Sequence, residues 1–411
     1  MMSLIKRPET IVRNFESYFI WQFYFPVLNF VVVIWCGMSN IQDKYYPVAV
    51  ASLQGLGGKN YAITGCTSGT GFYAAKAAIT KRCNLLLLLN RPSERAKRAD
   101  WELANYARKL GSKTRVQTVD CDLQSFQSVR SCASKVEHIC KAHGGLDALL
   151  NNAGIMGQPD SRTIDGHDIQ MQTNHLSHFL LTNLLMPSLE AAAAIRGESR
   201  VVQHSSGARA SFTANTKSGE PSGMLEKKFF SQCDAGSLGG DGLGKCFTRY
   251  HQTKLANSVF ALTLHERLKR SGSKVKSICA EPGVAATELS SNLSKGHEEH
   301  GSKPVRISSP EETFPGVQSA ADGACSIVEA AFGTHVLGGD FFMPGDYVKK
   351  TVVGLPTKCM TAGVPTPKNE LIKNGFRMEE LTMSQKNRDL LWHCSEQATN
   401  ISWKFLNRSK L

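Results

Sequence analysis

Asn60-Tyr61-Ala62-Ile63-Thr64-Gly65-Cys66-Thr67-Ser68-Gly69-Thr70-Gly71 runs from a short apolar segment into a glycine turn, and the small residues of Phe72 to Cys83 follow as a helix. Strand, glycine loop and helix, in that order, are the context a dinucleotide site demands. Gly65 permits the tight turn, Gly69 lets the backbone approach a pyrophosphate, and Gly71 allows the helix to pack closely. The phosphates would meet the helix amino terminus, where free amides and the helix dipole favour anions. The spacing Gly-x-x-x-Gly-x-Gly departs from the Gly-x-Gly-x-x-Gly fingerprint, so the loop alone also admits a plain turn.

Working outward, Leu85 to Leu89 is wholly apolar and reads as a strand buried on both faces. Arg95 to Leu110 and Ser125 to Ala142 read as helices, with strands at Thr114 to Val119 and Leu146 to Leu150. Helices over Asp168 to Ala194, Tyr250 to Lys269 and Ser319 to Phe332 then alternate with strands over Arg200 to His204, Lys274 to Ala280 and Val336 to Met343. This alternation predicts an α/β fold, a Rossmann-type doubly wound parallel sheet flanked by helices. The expected layout is an apolar N-terminal segment over 1–46, a nucleotide-binding catalytic domain over 47–345, and a C-terminal extension over 346–411 made of a connector and the helix Ser384 to Gln397. Two long polar stretches, Gly207 to Thr248 and Thr287 to Pro315, read as functional lids or surface excursions.

Tyr250-His251-Gln252-Thr253-Lys254 places a phenol and an ammonium one helical turn apart on a shared face. At an effective dielectric of ~20, a unit charge ~4 Å away is worth ~4 kcal/mol, enough to draw a phenol toward neutrality. Such a tyrosine is expected to exchange a proton with a carbonyl or an alcohol.

Thr64 to Gly71, Asn151-Asn152-Ala153-Gly154, Asn174, Ser205-Ser206, Tyr250 to Lys254, and Pro282-Gly283 with Thr287 occur in one order along the chain. In this series the chain resembles the short-chain dehydrogenase/reductase superfamily over about 59–343. Asn174 to Thr182, Tyr250 to Asn257 and the tail around Leu390-Leu391-Trp392 and Ser395 are most similar to its retinol-dehydrogenase-like branch. The resemblance implies that Tyr250 is the general acid, that Lys254 lowers its pKa and binds the nicotinamide ribose, and that Ser206 donates to the substrate oxygen, with Ser205 as the neighbouring alternative. Asn174 would hold a water that links Lys254 to solvent. The implied cofactor wall is Gly65, Thr67, Ser68, Gly69, Thr70 and Gly71, with Asn151, Ala153 and Gly154 at a strand end and Pro282, Gly283 and Thr287 around the nicotinamide. Asp122 matches the family's adenine-contacting acid; a plain helix cap is its alternative.

After the Leu85 to Leu89 strand an NAD enzyme presents an acid, whereas this chain offers Asn90-Arg91. An acid there would repel a 2′-phosphate and Arg91 would pair with it, so NADP(H) is the expected cofactor, although the glycine loop itself carries no Lys or Arg. Arg91 capping an exposed loop is the plainer reading. Ser206 and Tyr250 lie 44 positions apart. That insertion is longer than usual for the family and is similar to the one in light-dependent protochlorophyllide reductases, a second reading that Asn151 to Gly154 disfavours.

The 411 residues carry a formal charge of +13, but Lys and Arg are scattered and no basic motif with interleaved aromatics points to nucleic acid. The 12 cysteines contain no Cys-x-x-Cys pair and no zinc spacing, so reduced thiols and no metal are expected, with Cys66 either redox-sensitive or a small structural residue. His175, His178, His204 and His251 lie near the motif residues and read as packing or polar lining. Ser17 to Gln42 has no charged residue and is long enough to cross a bilayer, so residues 18–38 are expected to associate with a membrane, that of the endoplasmic reticulum on the branch resemblance. If the segment is a targeting peptide or a packed arm, a cytoplasmic protein is expected instead. The expected partner is a small hydrophobic carbonyl or alcohol, retinoid-, sterol- or lipid-like; a homodimer is the assembly considered, and an NADPH-sensing scaffold without turnover is the competing class of function.

Overall fold

In the computed structural model, residues 42–210, 223–287, 317–345, 353–365, 372–373, 376–377 and 379–404 are described. The apolar segment 18–38 lies outside them, as do 211–222 of the first long stretch and 288–316 of the second.

Seven parallel strands build the sheet: β1 (Asn60–Thr64), β2 (Leu85–Asn90), β3 (Arg115–Asp120), β4 (Ala148–Asn151), β5 (Ser199–His204), β6 (Val275–Ala280) and β7 (Phe341–Pro344). β8 (Pro356–Thr361) and β9 (Val364–Pro365) continue it antiparallel, giving the order β3-β2-β1-β4-β5-β6-β7-β8-β9. Every residue of β1, β2 and β5 is buried, as a parallel sheet covered on both faces requires.

One face is covered by α1 (Tyr46–Ser52), α2 (Gly69–Thr80), α3 (Glu94–Lys109) and α7 (Cys325–Phe332), around Ile63, Ala78, Leu86 and Ile327. The other is covered by α4 (Phe126–Lys141), α5 (Ser177–Arg196), α6 (Leu243–Arg270) and α9 (Gln385–Thr399), preceded by the short α8 (Glu380–Met383). Ser93 and Ser125 cap α3 and α4 by accepting from Ala96 N and Ser128 N. In α9, Trp392 packs edge-on against Phe179 at a centroid distance of 5.3 Å, and Trp403 beyond it lies 5.5 Å from the same ring. The segment Ile169–Arg196 is long and apolar enough to cross a bilayer, but 56% of its apolar window is buried inside the protein, which marks a core helix.

The structure departs from the sequence expectations at four places. The Tyr250 helix starts at Leu243, so the end of the insertion is helical. The Asp168 to Ala194 helix contains a π turn, Gln172–Leu176. The strand expected from Val336 starts only at Phe341, after Gly339 adopts φ +85°. The connector after Gly345 returns as β8, a short strand next to the sheet edge and only partly buried, so its apolar pattern is weak.

Candidate active site

β1 and β4 are neighbours at the point where the strand order reverses, and the chain leaves both at the same end. This is where open α/β sheets form a crevice. Gly65 has φ +71°, and a Cβ there would stand 2.9 Å from Ala153. A Cβ on Gly71 would run into the Gly65 carbonyl and the Asn152 amide. Only glycine fits either place.

Asn152 ties the two strand ends together. Its main-chain N donates to Thr64 Oγ1 at 3.0 Å, its Nδ2 to the Thr64 and Gly65 carbonyls at 3.0 and 3.2 Å, and its Oδ1 accepts from Thr70 Oγ1 at 2.9 Å. Asn151, expected at the cofactor, is instead fully buried in β4, where its amide donates to Thr182 Oγ1 at 2.8 Å. Side chains alternate along a strand, and the second asparagine of the pair, not the first, faces the cleft.

The cleft has a volume of about 640 Å³ and runs from the end of β2 to the start of the Tyr250 region. Thr67, Ser68, Gly69, Thr70, Arg91, Asp122, Ala153, Gly154, Ser206, Tyr250, Lys254, Pro282, Gly283 and Thr287 all line it, so it unites nearly the whole expected set. Gly71 lies beneath the loop as a packing residue. Arg95, which the sequence reading passed over, reaches the glycine loop from α3: its Nε donates to Thr67 Oγ1 at 3.0 Å and its Nη2 to Ser68 Oγ at 2.9 Å. The loop therefore has a basic partner after all, from the helix that follows β2. Asp122 Oδ1 accepts from Gln124 N at 3.0 Å, while Ser125 serves as the cap of α4.

At the other end Tyr250 and Lys254 lie inside α6, and Ser206 follows β5. The Ser206 hydroxyl lies beside the Tyr250 phenol and lowers its pKa. Ser205 is engaged elsewhere, donating to the Lys254 carbonyl at 2.8 Å, which leaves Ser206 as the hydroxyl beside the phenol. Lys254 Nζ donates to the His204 carbonyl at 3.0 Å and stands 5.7 Å from the Tyr250 ring centroid. Asn174 sits in the π turn; its Nδ2 donates to the Ile155 carbonyl and Thr253 Oγ1, and its Oδ1 accepts from Ile155 N. It thus holds the main chain just after Gly154, and a Cβ on Gly154 would sit 3.4 Å from Lys254 Nζ.

Burial decides the acidities. The Tyr250 phenol is pushed up by burial, with Ser206 as the only lowering influence, so the expectation of a phenol drawn toward neutrality by Lys254 is not met. Burial lowers Lys254 to about 8. It also lowers His175 to about 3, His178 to about 4 and His204 to about 3, so these rings are neutral near pH 7. Each is engaged: His175 Nε2 with Ser395 Oγ, His178 Nε2 with Thr64 Oγ1, His204 Nδ1 with Asn152 Oδ1. Cys66 is fully buried with its thiol pushed up, which makes it structural.

These residues fit a dinucleotide. Glycines occur where a Cβ would fill the cradle, two arginines stand at the β2 end, and the buried Asn90 Nδ2 in the cleft wall has no partner among the described residues.

Fold and cleft define a Rossmann-type dinucleotide-binding protein. A family model described as short chain dehydrogenase matches residues 59–216. The chain is 32% identical over 253 residues to retinol dehydrogenase 13 of Mus musculus, covering 62% of this chain and 66% of that protein. It is 31% identical over 227 residues to polyprenol dehydrogenase of Mus musculus, covering 55% and 60%. A solved structure of an uncharacterized protein from Mycobacterium paratuberculosis superposes with a TM-score of 0.56 at 25% identity, covering 86% of this chain and 98% of that one. The chain belongs to the short-chain dehydrogenase/reductase superfamily, on its retinol-dehydrogenase-like branch. It spans just under two thirds of the length of these curated relatives.

Proposed function

We propose that the protein is an NADP(H)-dependent oxidoreductase that interconverts a carbonyl and an alcohol on a hydrophobic, lipid-like substrate. The observation that carries this reading is a single cleft in which Ser206, Tyr250 and Lys254 stand at one end and the glycine loop with Arg91 and Arg95 at the other. When bound, the nicotinamide supplies or accepts the hydride. Tyr250 gives its proton to the substrate oxygen, a task suited to a phenol that burial keeps protonated. Ser206, beside that phenol, donates to the same oxygen. Lys254, with a pKa of about 8, carries a proton it can release near working pH and stands 5.7 Å from the Tyr250 ring centroid. Asn174, by holding Ile155, fixes the turn that faces Lys254.

Arg91 and Arg95 support the phosphorylated cofactor, because two guanidiniums at the ribose end suit a 2′-phosphate. The lipid-like substrate class is supported by the names of the retinol and polyprenol dehydrogenases that the chain resembles. An anchor through residues 18–38 would hold the protein at a membrane such as the endoplasmic reticulum, where such substrates dissolve; recovery of full-length protein in the soluble fraction after high-pH extraction would refute it. The deciding experiment incubates full-length protein with NADPH or NADH and a panel of aldehydes and ketones, all-trans-retinal and polyprenal included. Turnover with preference for NADPH is expected; tight NADPH binding without turnover across the panel would leave a sensing scaffold as the function.

A further inference from the structure

Three ionised side chains from three distant segments meet behind the cleft with almost no exposure. Arg209 lies in the turn Gly207–Ala210 after Ser206, Glu281 immediately precedes Pro282-Gly283, and Glu379 opens the C-terminal helical region. Their relative exposures are 0%, 1% and 3%, so water screens none of them. The guanidinium uses its whole fork. Its Nη1 donates to Glu281 Oε2 and, at 3.0 Å, to the Ser206 carbonyl. Its Nε and Nη2 donate to Glu379 Oε1 at 3.2 and 2.6 Å, and its face stacks on Phe341 at 4.3 Å. Desolvating three charges is costly, and a core of neutral side chains would be as stable or more so. What the triad provides and a neutral core would not is a fixed register between the main chain at Ser206 and the turn at Pro282.

We propose that Arg209, Glu281 and Glu379 are positioning residues of the active site, so that the C-terminal tail, through Glu379, holds Ser206 and the Pro282-Gly283 turn in their working arrangement. The proposal rests on the oxidoreductase reading of the cleft and assigns the tail a part in it. Two carboxylates face one guanidinium, and Glu281 raises the pKa of the Tyr250 phenol. Removing Glu379 leaves Arg209 to neutralise Glu281 more fully.

The test uses full-length protein, NADPH and all-trans-retinal, with the variants Glu379→Gln, Arg209→Met and the triple Arg209→Met/Glu281→Gln/Glu379→Gln. Glu379→Gln is expected to lower kcat by about tenfold or more, as small misplacements do, with a far smaller change in the Kd for NADPH. It is also expected to speed amide exchange over 205–210 and 281–284. The pH-rate limb set by Tyr250 should move down in Glu379→Gln, a shift that a loss of packing would not produce. If either single variant fails to fold, the triple decides, since it buries no unpaired charge: a melting temperature near that of the wild type together with a low kcat upholds the proposal. Full kcat in the triple, or wild-type exchange and pH limb in Glu379→Gln, overturns it. Should the wild type reduce neither retinal nor any other carbonyl, the oxidoreductase reading fails by itself, and the exchange data alone decide whether the tail holds the two segments.

Discussion

Around Gly65 and Asn152 the cleft wall is held by neutral hydrogen bonds between main chain and short polar side chains, whereas around Ser206 and Pro282 it is held by buried ions from segments far apart in sequence. The first wall is built largely by backbone fit. Its weak points are steric, apart from the His178 and His204 rings that hydrogen-bond Thr64 and Asn152 as neutral groups. The second depends on charges kept away from water, so its weak points are electrostatic and spread over the chain as far as Glu379. The first wall thus joins one contiguous glycine loop to one neighbouring strand end, while the second is assembled from segments as far apart as Ser206 and Glu379.

Substitutions can break this contrast or sharpen it. The largest expected effect is at the proposed proton donor: Tyr250→Phe should lower turnover by about 10³-fold, with NADPH binding and melting temperature near those of the wild type. A parallel loss of NADPH binding would mean that the two ends are not separable.

Acid should act next most strongly. The folded-state pKa values of His175, His178 and His204 lie below the unfolded value near 6.5, so the unfolded chain binds more protons as the pH falls. Their contribution is complete above pH 6.5 and is lost on acidification toward pH 4 and below, by up to ~1.4 kcal/mol per pH unit for each ring. Urea denaturation at pH 7.5, 6 and 5 measures this. An unfolding free energy unchanged between pH 7.5 and 5 would contradict the burial of these three rings as neutral groups.

Gly71→Ala tests the steric wall. Its added methyl meets the Gly65 carbonyl and the Asn152 amide, and a loss of about 1–3 kcal/mol is expected with weakened binding of both NADPH and NADH. Arg91→Ala and Arg95→Ala should each weaken NADPH by about tenfold, the worth of one charge-assisted hydrogen bond, and leave NADH nearly unchanged. Equal weakening of both cofactors by Arg95→Ala would show that this residue only braces Thr67 and Ser68.

The sheet was legible because each strand and helix announces itself over a few contiguous residues. The five buried leucines of β2 and the glycines after β1 are local signals. Less visible were β8, a partly buried strand after a Pro/Gly-bearing connector, and the π turn that contains Asn174. At the site the pairing of Tyr250 with Lys254 was readable from helical spacing, but its electrostatics were not. Spacing places the ammonium on the right face; only the packing of β5 shows that Lys254 Nζ turns to the His204 carbonyl and that burial raises the phenol. Arg95 was hidden because proximity to Thr67 arises from the crossover between β2 and α3.

By itself the sequence determined the nucleotide-binding sheet, the position of its glycine loop, and the serine, tyrosine and lysine of the candidate site, because strand, turn and helix patterns are set by neighbouring residues. Tertiary structure alone decided that Asn152 and not Asn151 faces the cleft, that Arg95 reaches the loop, and that Glu379 closes a triad behind Ser206. Those outcomes depend on which distant segments exclude water from a charge, and no local pattern records that.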